Sequence, residues 1–177
     1  MNKYLKYGII IAIVIVAISF LASLQFEKSQ DNSGSLPKIK SQAANFTLKN
    51  YKGESVSLQD FRGKIIYIKF WASWCKDCVK QVVPQRKLEA AMVSNPNIAF
   101  LNISVDSSED AWKKAVERNK LSAEQLISHD GDEENINKNY DISEIPRYII
   151  IGKSGEILNN NAPHPGEIEA EYFAQFN

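Results

Sequence analysis

The sequence predicts an α/β fold, in which β-strands alternate with α-helices along the chain. The almost continuous apolar run over residues 65–71 indicates a strand that is covered on both faces. A helix-compatible segment, residues 76–92, follows this strand directly. The pattern then repeats, because the β-rich residues 97–106 precede a helix predicted over residues 108–120. Strands that alternate with helices in this way favour a sheet with helices packed against it.

The segments on either side of this pattern are shorter. Residues 46–58 alternate around a glycine-containing turn and predict a β-hairpin. Pro84 lies inside the predicted helix 76–92 and should kink it, because proline removes a backbone hydrogen bond. The remaining expectations are a short strand at 126–128, a short helix at 133–140, an edge-compatible strand at 147–151 that forms a hairpin with 155–158, and a C-terminal helix at 167–176.

Cys75 and Cys78 are the only two cysteines in the chain, and they stand at the junction of the first strand and its helix. Backbone N–H groups in the first turn of a helix have no partner within the helix, so a thiol there is stabilised as the thiolate. A spacing of three residues puts both cysteines on one helical face, close enough for a disulfide. The stretch is therefore expected to make and break one disulfide.

The cysteine pair has two other interpretations. A zinc site would need further ligands, but His129 and His164 are far apart in the sequence and lack ligand spacing. A carrier of a soft ion such as Cu(I) would also need ligands beyond Cys75 and Cys78, and neither methionine nor histidine lies near the pair. No metal site and no cofactor are predicted.

Composition and charge place the protein among globular domains with an ordinary surface. Lys plus Arg and Asp plus Glu number 21 each, so the formal net charge is zero and nothing indicates nucleic-acid binding. Residues 1–26 predict an uncleaved N-terminal membrane anchor, with residues 8–24 as its apolar run. Residues 27–40 are polar and predict a flexible tether, and residues 41–177 form the folded domain. Because Lys3 and Lys6 precede the apolar run, the domain is expected outside the cytoplasm.

The stretch Trp71-Ala72-Ser73-Trp74-Cys75-x-x-Cys78 resembles the active-site stretch of thioredoxins. The run of residues 45–64, NFTLKNYKGESVSLQDFRGK, is similar to the hairpin and approach segment of the membrane-anchored ResA/TlpA family. The strand and helix over residues 97–120 resemble the insertion of that family. The resemblance implies a thioredoxin-like fold, with a central mixed β-sheet flanked by helices, and a thiol–disulfide oxidoreductase activity.

The same resemblance assigns roles to particular residues. Cys75 and Cys78 would be catalytic, and Trp74 would belong to an apolar surface that Trp71 and Trp74 form around the sulfurs. The peptide bond between Ile145 and Pro146 would be cis, and these two residues would bind the substrate backbone.

Two positions depart from the family pattern. Lys69 stands where thioredoxins carry a buried acid, and we expect it either to tune the thiolate, to transfer a proton, or to extend its ammonium group to water. Related proteins often have glutamate at the position of Gln81, and their proline lies one residue closer to the second cysteine than Pro84 does.

The resemblance also implies partners. Relatives reduce protein disulfides, some act on apocytochrome c before haem attachment, and a membrane thiol carrier of the CcdA or DsbD type supplies their electrons. A disulfide-donating oxidase remains the alternative within the same enzyme class, because Lys76 and Asp77 between the cysteines do not settle the direction.

Overall fold

The computed structural model describes residues 39–128 and 136–176. Within these ranges, seven strands form one sheet: β1 (Thr47–Asn50), β2 (Ser55–Ser57), β3 (Ile65–Trp71), β4 (Ile98–Ser104), β5 (Glu124–Ile127), β6 (Arg147–Ile151) and β7 (Ile157–Asn159). The α-helices are α1 (Lys76–Lys80), α2 (Val82–Met92), α3 (Glu109–Asn119) and α4 (Ile136–Asn139). Two 3-10 helices span Leu58–Phe61 and Ala170–Phe176.

The strands lie in the order β2-β1-β5-β4-β3-β6-β7. β3 pairs parallel with β4 and antiparallel with β6, so the sheet is mixed. β1 and β2 form the predicted antiparallel hairpin, and β1 also pairs with β5. The predicted thioredoxin-like α/β fold with a central mixed sheet is confirmed.

Strand β3 is the centre of the fold, because all seven of its residues are buried. Ile66, Ile68 and Phe70 pack into one hydrophobic cluster, whereas Ile65 and Tyr67 pack into another on the opposite face. The first cluster includes Ile136 and Tyr140 at α4, and the second includes Leu88 and Met92 of α2. Burial of each such aliphatic side chain contributes about 1.5–3 kcal/mol to the stability of the fold. Strand β3 therefore stabilises the packing on both faces of the sheet.

The long helix predicted over residues 76–92 is interrupted at Gln81, which ends α1 and begins α2. Pro84 has no N–H to donate to the carbonyl of Lys80, and α1 ends at that residue. The expected kink is therefore present, three residues before the proline. The regular α-helical pattern resumes with the N–H of Gln85, which donates to the carbonyl of Gln81 at 2.9 Å.

The elements expected in the C-terminal part are present, with differences in detail. The strand expected at 147–151 is β6, which forms the expected hairpin with β7 but lies between β3 and β7, although its sequence was also compatible with an edge. Pro146 precedes β6, so no hydrogen bond of the strand ladder is lost and an interior position is allowed. The helix expected at 167–176 begins later and is a 3-10 helix, Ala170–Phe176.

The predicted membrane anchor and nearly all of the tether lie outside the described residues, as do residues 133–135 of the predicted short helix. No helix within the described ranges is long and apolar enough to cross a bilayer. The short strand predicted near residue 126 is present as β5.

Candidate active site

Cys75 and Cys78 are joined by a disulfide at the start of α1, with their Cα atoms 5.3 Å apart. Cys75 is the N-cap residue of this helix and Cys78 lies within it. The side chain of Cys75 retains 6% exposure, whereas Cys78 is 0% exposed. The two sulfurs therefore differ in their access to a partner molecule, and Cys75 is the less buried of the two.

The sulfur of Cys75 has a hydrogen-bond donor directed at it. The backbone N–H of Cys78 donates to Cys75 Sγ at 3.1 Å. Because α1 contains only five residues, its helix dipole is small. The N–H that contacts the sulfur therefore contributes more than the dipole does to stabilising a negative charge on Cys75. A hydrogen bond of this kind favours the charged form of an acceptor, so it would favour the Cys75 thiolate once the disulfide is reduced.

The peptide bond between Ile145 and Pro146 is cis, as the resemblance implied. The carbonyl oxygen of Ile145 lies 3.8 Å from Cys75 Sγ, so this turn is next to the sulfur. Trp74 is 68% exposed beside the cysteine pair, whereas Trp71 is 2% exposed. Trp71 surrounds the sulfurs from the inside, because it packs in one hydrophobic cluster with Cys75, Cys78 and Trp112.

Lys69 is 1% exposed, so the expectation that its ammonium reaches water is wrong. Its Nζ donates to the carbonyl oxygen of Cys78 at 3.1 Å and to Gln85 Oε1 at 3.2 Å. It also lies 5.9 Å from the centre of the Trp71 ring. Burial lowers the pKa of Lys69 to about 8, and the nearby charge of Glu89 partly opposes this shift.

Gln85 continues the polar contacts of Lys69 towards the surface. Its Nε2 donates to Asn102 Oδ1 at 2.8 Å and to Glu89 Oε1 at 2.7 Å. Glu89 is half-buried and accepts a hydrogen bond from Ser122. Sequence reasoning missed this chain of contacts. The sequence feature that could have revealed these contacts is the spacing of Gln85 and Glu89, which are four residues apart and therefore share one face of the predicted helix.

Asp106 forms a second buried polar cluster that sequence reasoning missed. It is 2% exposed, and its carboxylate accepts hydrogen bonds from the Ser73 N–H at 2.8 Å and the Ser73 Oγ at 2.7 Å. Ser104 Oγ donates to the same carboxylate at 2.7 Å. The sequence feature that could have revealed it is the position of Asp106 just after a predicted strand. Polar residues at the carboxyl ends of parallel strands commonly contribute to sites in α/β proteins.

The described residues contain no group of three His, Cys, Asp or Glu side chains arranged to hold a metal ion. His129 lies outside the described residues. His164 is half-buried, and its ring lies 5.1 Å from that of Tyr148.

Comparison with known proteins agrees with this geometry. Residues 39–159 match the model of the AhpC/TSA family. The chain is 25% identical over 157 residues to the thiol-disulfide oxidoreductase ResA of Bacillus thuringiensis, covering 89% of this chain and 86% of that protein. It is 32% identical over 117 residues to the thioredoxin-like protein YneN of Bacillus subtilis, covering 66% of each.

A solved structure, the thioredoxin domain of a thiol-disulfide oxidoreductase from Bacteroides vulgatus, superimposes with a TM-score of 0.72 at 27% identity. The match covers 80% of this chain and 99% of that one. The chain therefore belongs to the AhpC/TSA family, as a thioredoxin-like thiol–disulfide oxidoreductase.

Proposed function

We propose that this protein reduces disulfide bonds of extracytoplasmic proteins, with Cys75 as the attacking thiolate and Cys78 as the resolving thiol. The observation that carries this proposal is the asymmetry of the pair. Cys75 keeps surface access beside the exposed Trp74 and receives the N–H of Cys78, whereas Cys78 is fully buried. A nucleophile must reach the substrate, but a resolving thiol needs to reach only the nucleophile.

The reaction proceeds in two exchanges. The Cys75 thiolate attacks one sulfur of the substrate disulfide, forms a mixed disulfide and releases the other sulfur as a thiolate. Cys78 then loses its proton and attacks Cys75 Sγ, which breaks the mixed disulfide and releases the second substrate thiol. Two electrons pass from the cysteine pair to the substrate, and the Cys75–Cys78 disulfide is left behind. The backbone of Ile145, next to Pro146, pairs with an extended substrate segment during the attack.

Lys69 is the proton acceptor for Cys78 in the second exchange. Its amine lies against the carbonyl of the resolving cysteine, and two acceptors already fix its position. A neutral amine has two N–H groups for these two acceptors and keeps a lone pair for the incoming proton. Because burial lowers its pKa to about 8, a useful fraction of Lys69 is neutral near physiological pH.

The direction and the setting of the reaction follow from the family resemblance and the N-terminal sequence. Residues 1–26 anchor the chain in the cell membrane, with the N-terminus cytoplasmic and the thioredoxin-like domain outside. A membrane thiol carrier of the CcdA or DsbD type reduces the pair again, and apocytochrome c awaiting haem attachment is the proposed substrate. Ile145 before the cis proline is the residue that reducing thioredoxins carry at this position.

The two cysteine roles are tested by trapping. Cys78→Ser should accumulate mixed disulfides with substrate proteins, because the resolving thiol is missing, and Cys75→Ser should not. Non-reducing electrophoresis followed by dithiothreitol release measures the trapped fraction. Equal trapping by both variants would contradict the assignment.

The direction is tested by the reduction potential of the Cys75–Cys78 pair. A value near that of thioredoxin, about −270 mV, is expected for a reductant. A value near about −120 mV, typical of a strong oxidant, would instead support the disulfide-donating alternative.

A further inference from the structure

A small polar pocket lies beside the cis proline, next to the reactive disulfide. Pro146 and Tyr148 form one wall, and the loop containing Asn161, His164 and Glu167 forms the other. Its volume is about 360 Å³, at the small end of the range for ligand pockets and suited to one long side chain. Because the preceding residue, Ile145, has its carbonyl 3.8 Å from Cys75 Sγ, a substrate held at the sulfur extends past this pocket.

The walls of the pocket offer hydrogen-bond acceptors. Glu167 is exposed, and one oxygen of its carboxylate accepts the backbone N–H of His164 at 3.0 Å. The loop is held in place by Tyr67, whose hydroxyl donates to the carbonyl of Pro163 at 2.6 Å. The pocket is thus fixed in shape and carries an anionic group at its mouth.

The charge around the pocket is acidic. Residues 154–177 contain neither lysine nor arginine, but they include Glu167, Glu169 and Glu171. Two basic groups lie on neighbouring elements. Lys87 lines a different groove with Glu169, and the buried Arg147, which donates to the carbonyl of Asn160, is under the influence of the charges of Asp141 and Glu144. Among the described ion pairs, none neutralises Glu167.

We propose that this pocket is a substrate subsite that binds a lysine or arginine side chain adjacent to the cysteine under attack. A substrate strand that pairs with Ile145 sends the side chains next to its cysteine away from the sulfur, and one of them reaches over Pro146. The acidic loop then attracts a cationic side chain, and Glu167 accepts its hydrogen bond. The subsite rests on the proposed thiol–disulfide exchange at Cys75 and adds to it a preference for basic sequence.

The test compares matched peptides in a single exchange. Each peptide has one cysteine, joined in a mixed disulfide to 5-thio-2-nitrobenzoate, with Lys, Gln or Glu on either side of it. Attack by the reduced protein on the peptide sulfur releases the coloured thiolate, and the second-order rate constant is read by stopped flow. The lysine peptide should react about two- to fivefold faster than the glutamine peptide, as expected for a solvent-exposed ion pair. This preference should weaken as salt is added.

The variant Glu167→Gln isolates the charge, since glutamine keeps an oxygen that can accept the N–H of His164. It should abolish the preference for lysine while the reduction potential of the cysteine pair stays unchanged. Glu171→Gln, an equal charge change at an exposed residue outside the pocket, should keep the preference. Equal rates for the lysine and glutamine peptides with the unaltered protein, or an unchanged preference in Glu167→Gln, would overturn the subsite alone. Rates no higher than those of Cys75→Ser would overturn the proposed exchange and the subsite with it.

Discussion

Lys69 introduces an ionisable group into the most buried strand of the protein. Its ammonium has only the carbonyl of Cys78, the amide oxygen of Gln85 and the face of Trp71 as neighbours at bonding or ring-contact distance. Removing a charge from water is costly, and these neutral groups compensate for it only in part. The folded protein consequently favours the neutral amine more strongly than the unfolded chain does.

The pH dependence of stability should reveal this lysine. Its pKa is lowered from 10.5 to about 8 in the folded state. Between these two values the unfolded chain binds one proton more than the folded protein does, so the free energy of unfolding rises with pH. Below about pH 8 both states are protonated and the burial cost is fully present. The total rise expected from Lys69 is about 3 kcal/mol.

The measurement is urea unfolding of the oxidised protein, in which neither cysteine titrates, at pH 7.5 and pH 10. Lys69→Met should lose the rise, whereas Lys87→Met, at an exposed position of α2, should keep it. In the reduced protein, Lys69→Met should also slow the release of a mixed disulfide while the pKa of Cys75 moves little. If Lys69→Met keeps the pH dependence of the unaltered protein, Lys69 is not buried as an amine. If Lys69→Met raises the pKa of Cys75, Lys69 tunes the thiolate instead.

The residues that carry the exchange chemistry could be predicted from the sequence because their signal is local. Cys75 and Cys78 are three residues apart, and their roles depend on a strand-to-helix junction that hydrophobic pattern reveals. The surroundings of Lys69 could not be predicted in this way. Its neighbour Gln85 is sixteen residues away, and the two side chains meet only after α2 has packed on the sheet.

At the scale of elements, the end of β4 is tied to the loop that precedes α1. The Asp106 carboxylate accepts the backbone and side-chain donors of Ser73, and Ser104 supports the carboxylate from within the strand. Ser73 is two residues before Cys75, so this contact fixes the chain just before the nucleophile. Asp106 acts through Ser73 and is a positioning residue.

A double-mutant cycle tests this role. Asp106→Asn removes one acceptor oxygen, and Ser73→Ala removes one donor. Each should slow exchange at Cys75 by about three- to tenfold, because a loosened loop misplaces the nucleophile. Asp106→Asn should also lower the free energy of unfolding by about 1–3 kcal/mol.

Coupling distinguishes positioning from general stability. The double variant should be no slower than Asp106→Asn alone, since both changes break the same contact. Asp110→Asn, which alters a largely exposed carboxylate on α3, should leave the exchange rate unchanged. If the rate losses of the two single variants multiply in the double variant, the two residues act independently and the role of Ser73 is wrong. If Asp106→Asn lowers stability without slowing the exchange, Asp106 supports only the fold.

Element positions were predicted less well where tertiary contacts decide. The apolar pattern of residues 147–151 identified strand β6, but its place between β3 and β7 depends on pairings that a proline before the strand does not reveal. The C-terminal segment has Ala170, Phe173 and Phe176 at intervals of three residues, and all three contact the same hydrophobic cluster. A 3-10 helix has three residues per turn, so it aligns this set in a single row, whereas an α-helix would spread it over an arc of about 120°.

At the scale of the whole molecule, the proposed function requires the redox domain to face an oxidising compartment. The formal net charge is zero, so attraction to anionic lipids would contribute little, and the proposed membrane attachment would depend on the apolar residues 8–24. Lys3 and Lys6 precede this run, which favours a cytoplasmic N-terminus.

This orientation can be tested with the cysteines themselves, because the chain contains no others. In full-length Cys78→Ser, dithiothreitol treatment and washing release the trapped mixed disulfides and leave Cys75 as the one free thiol. A membrane-impermeant maleimide applied to cells with an accessible outer face of the membrane should label it without lysis, and the labelled chain should stay with the membranes after alkaline carbonate extraction. The double variant Cys75→Ser, Cys78→Ser reports background labelling. Labelling that appears only after lysis would put the domain in the cytoplasm, where a CcdA- or DsbD-type donor could not serve it from outside, and release by carbonate would contradict the anchor.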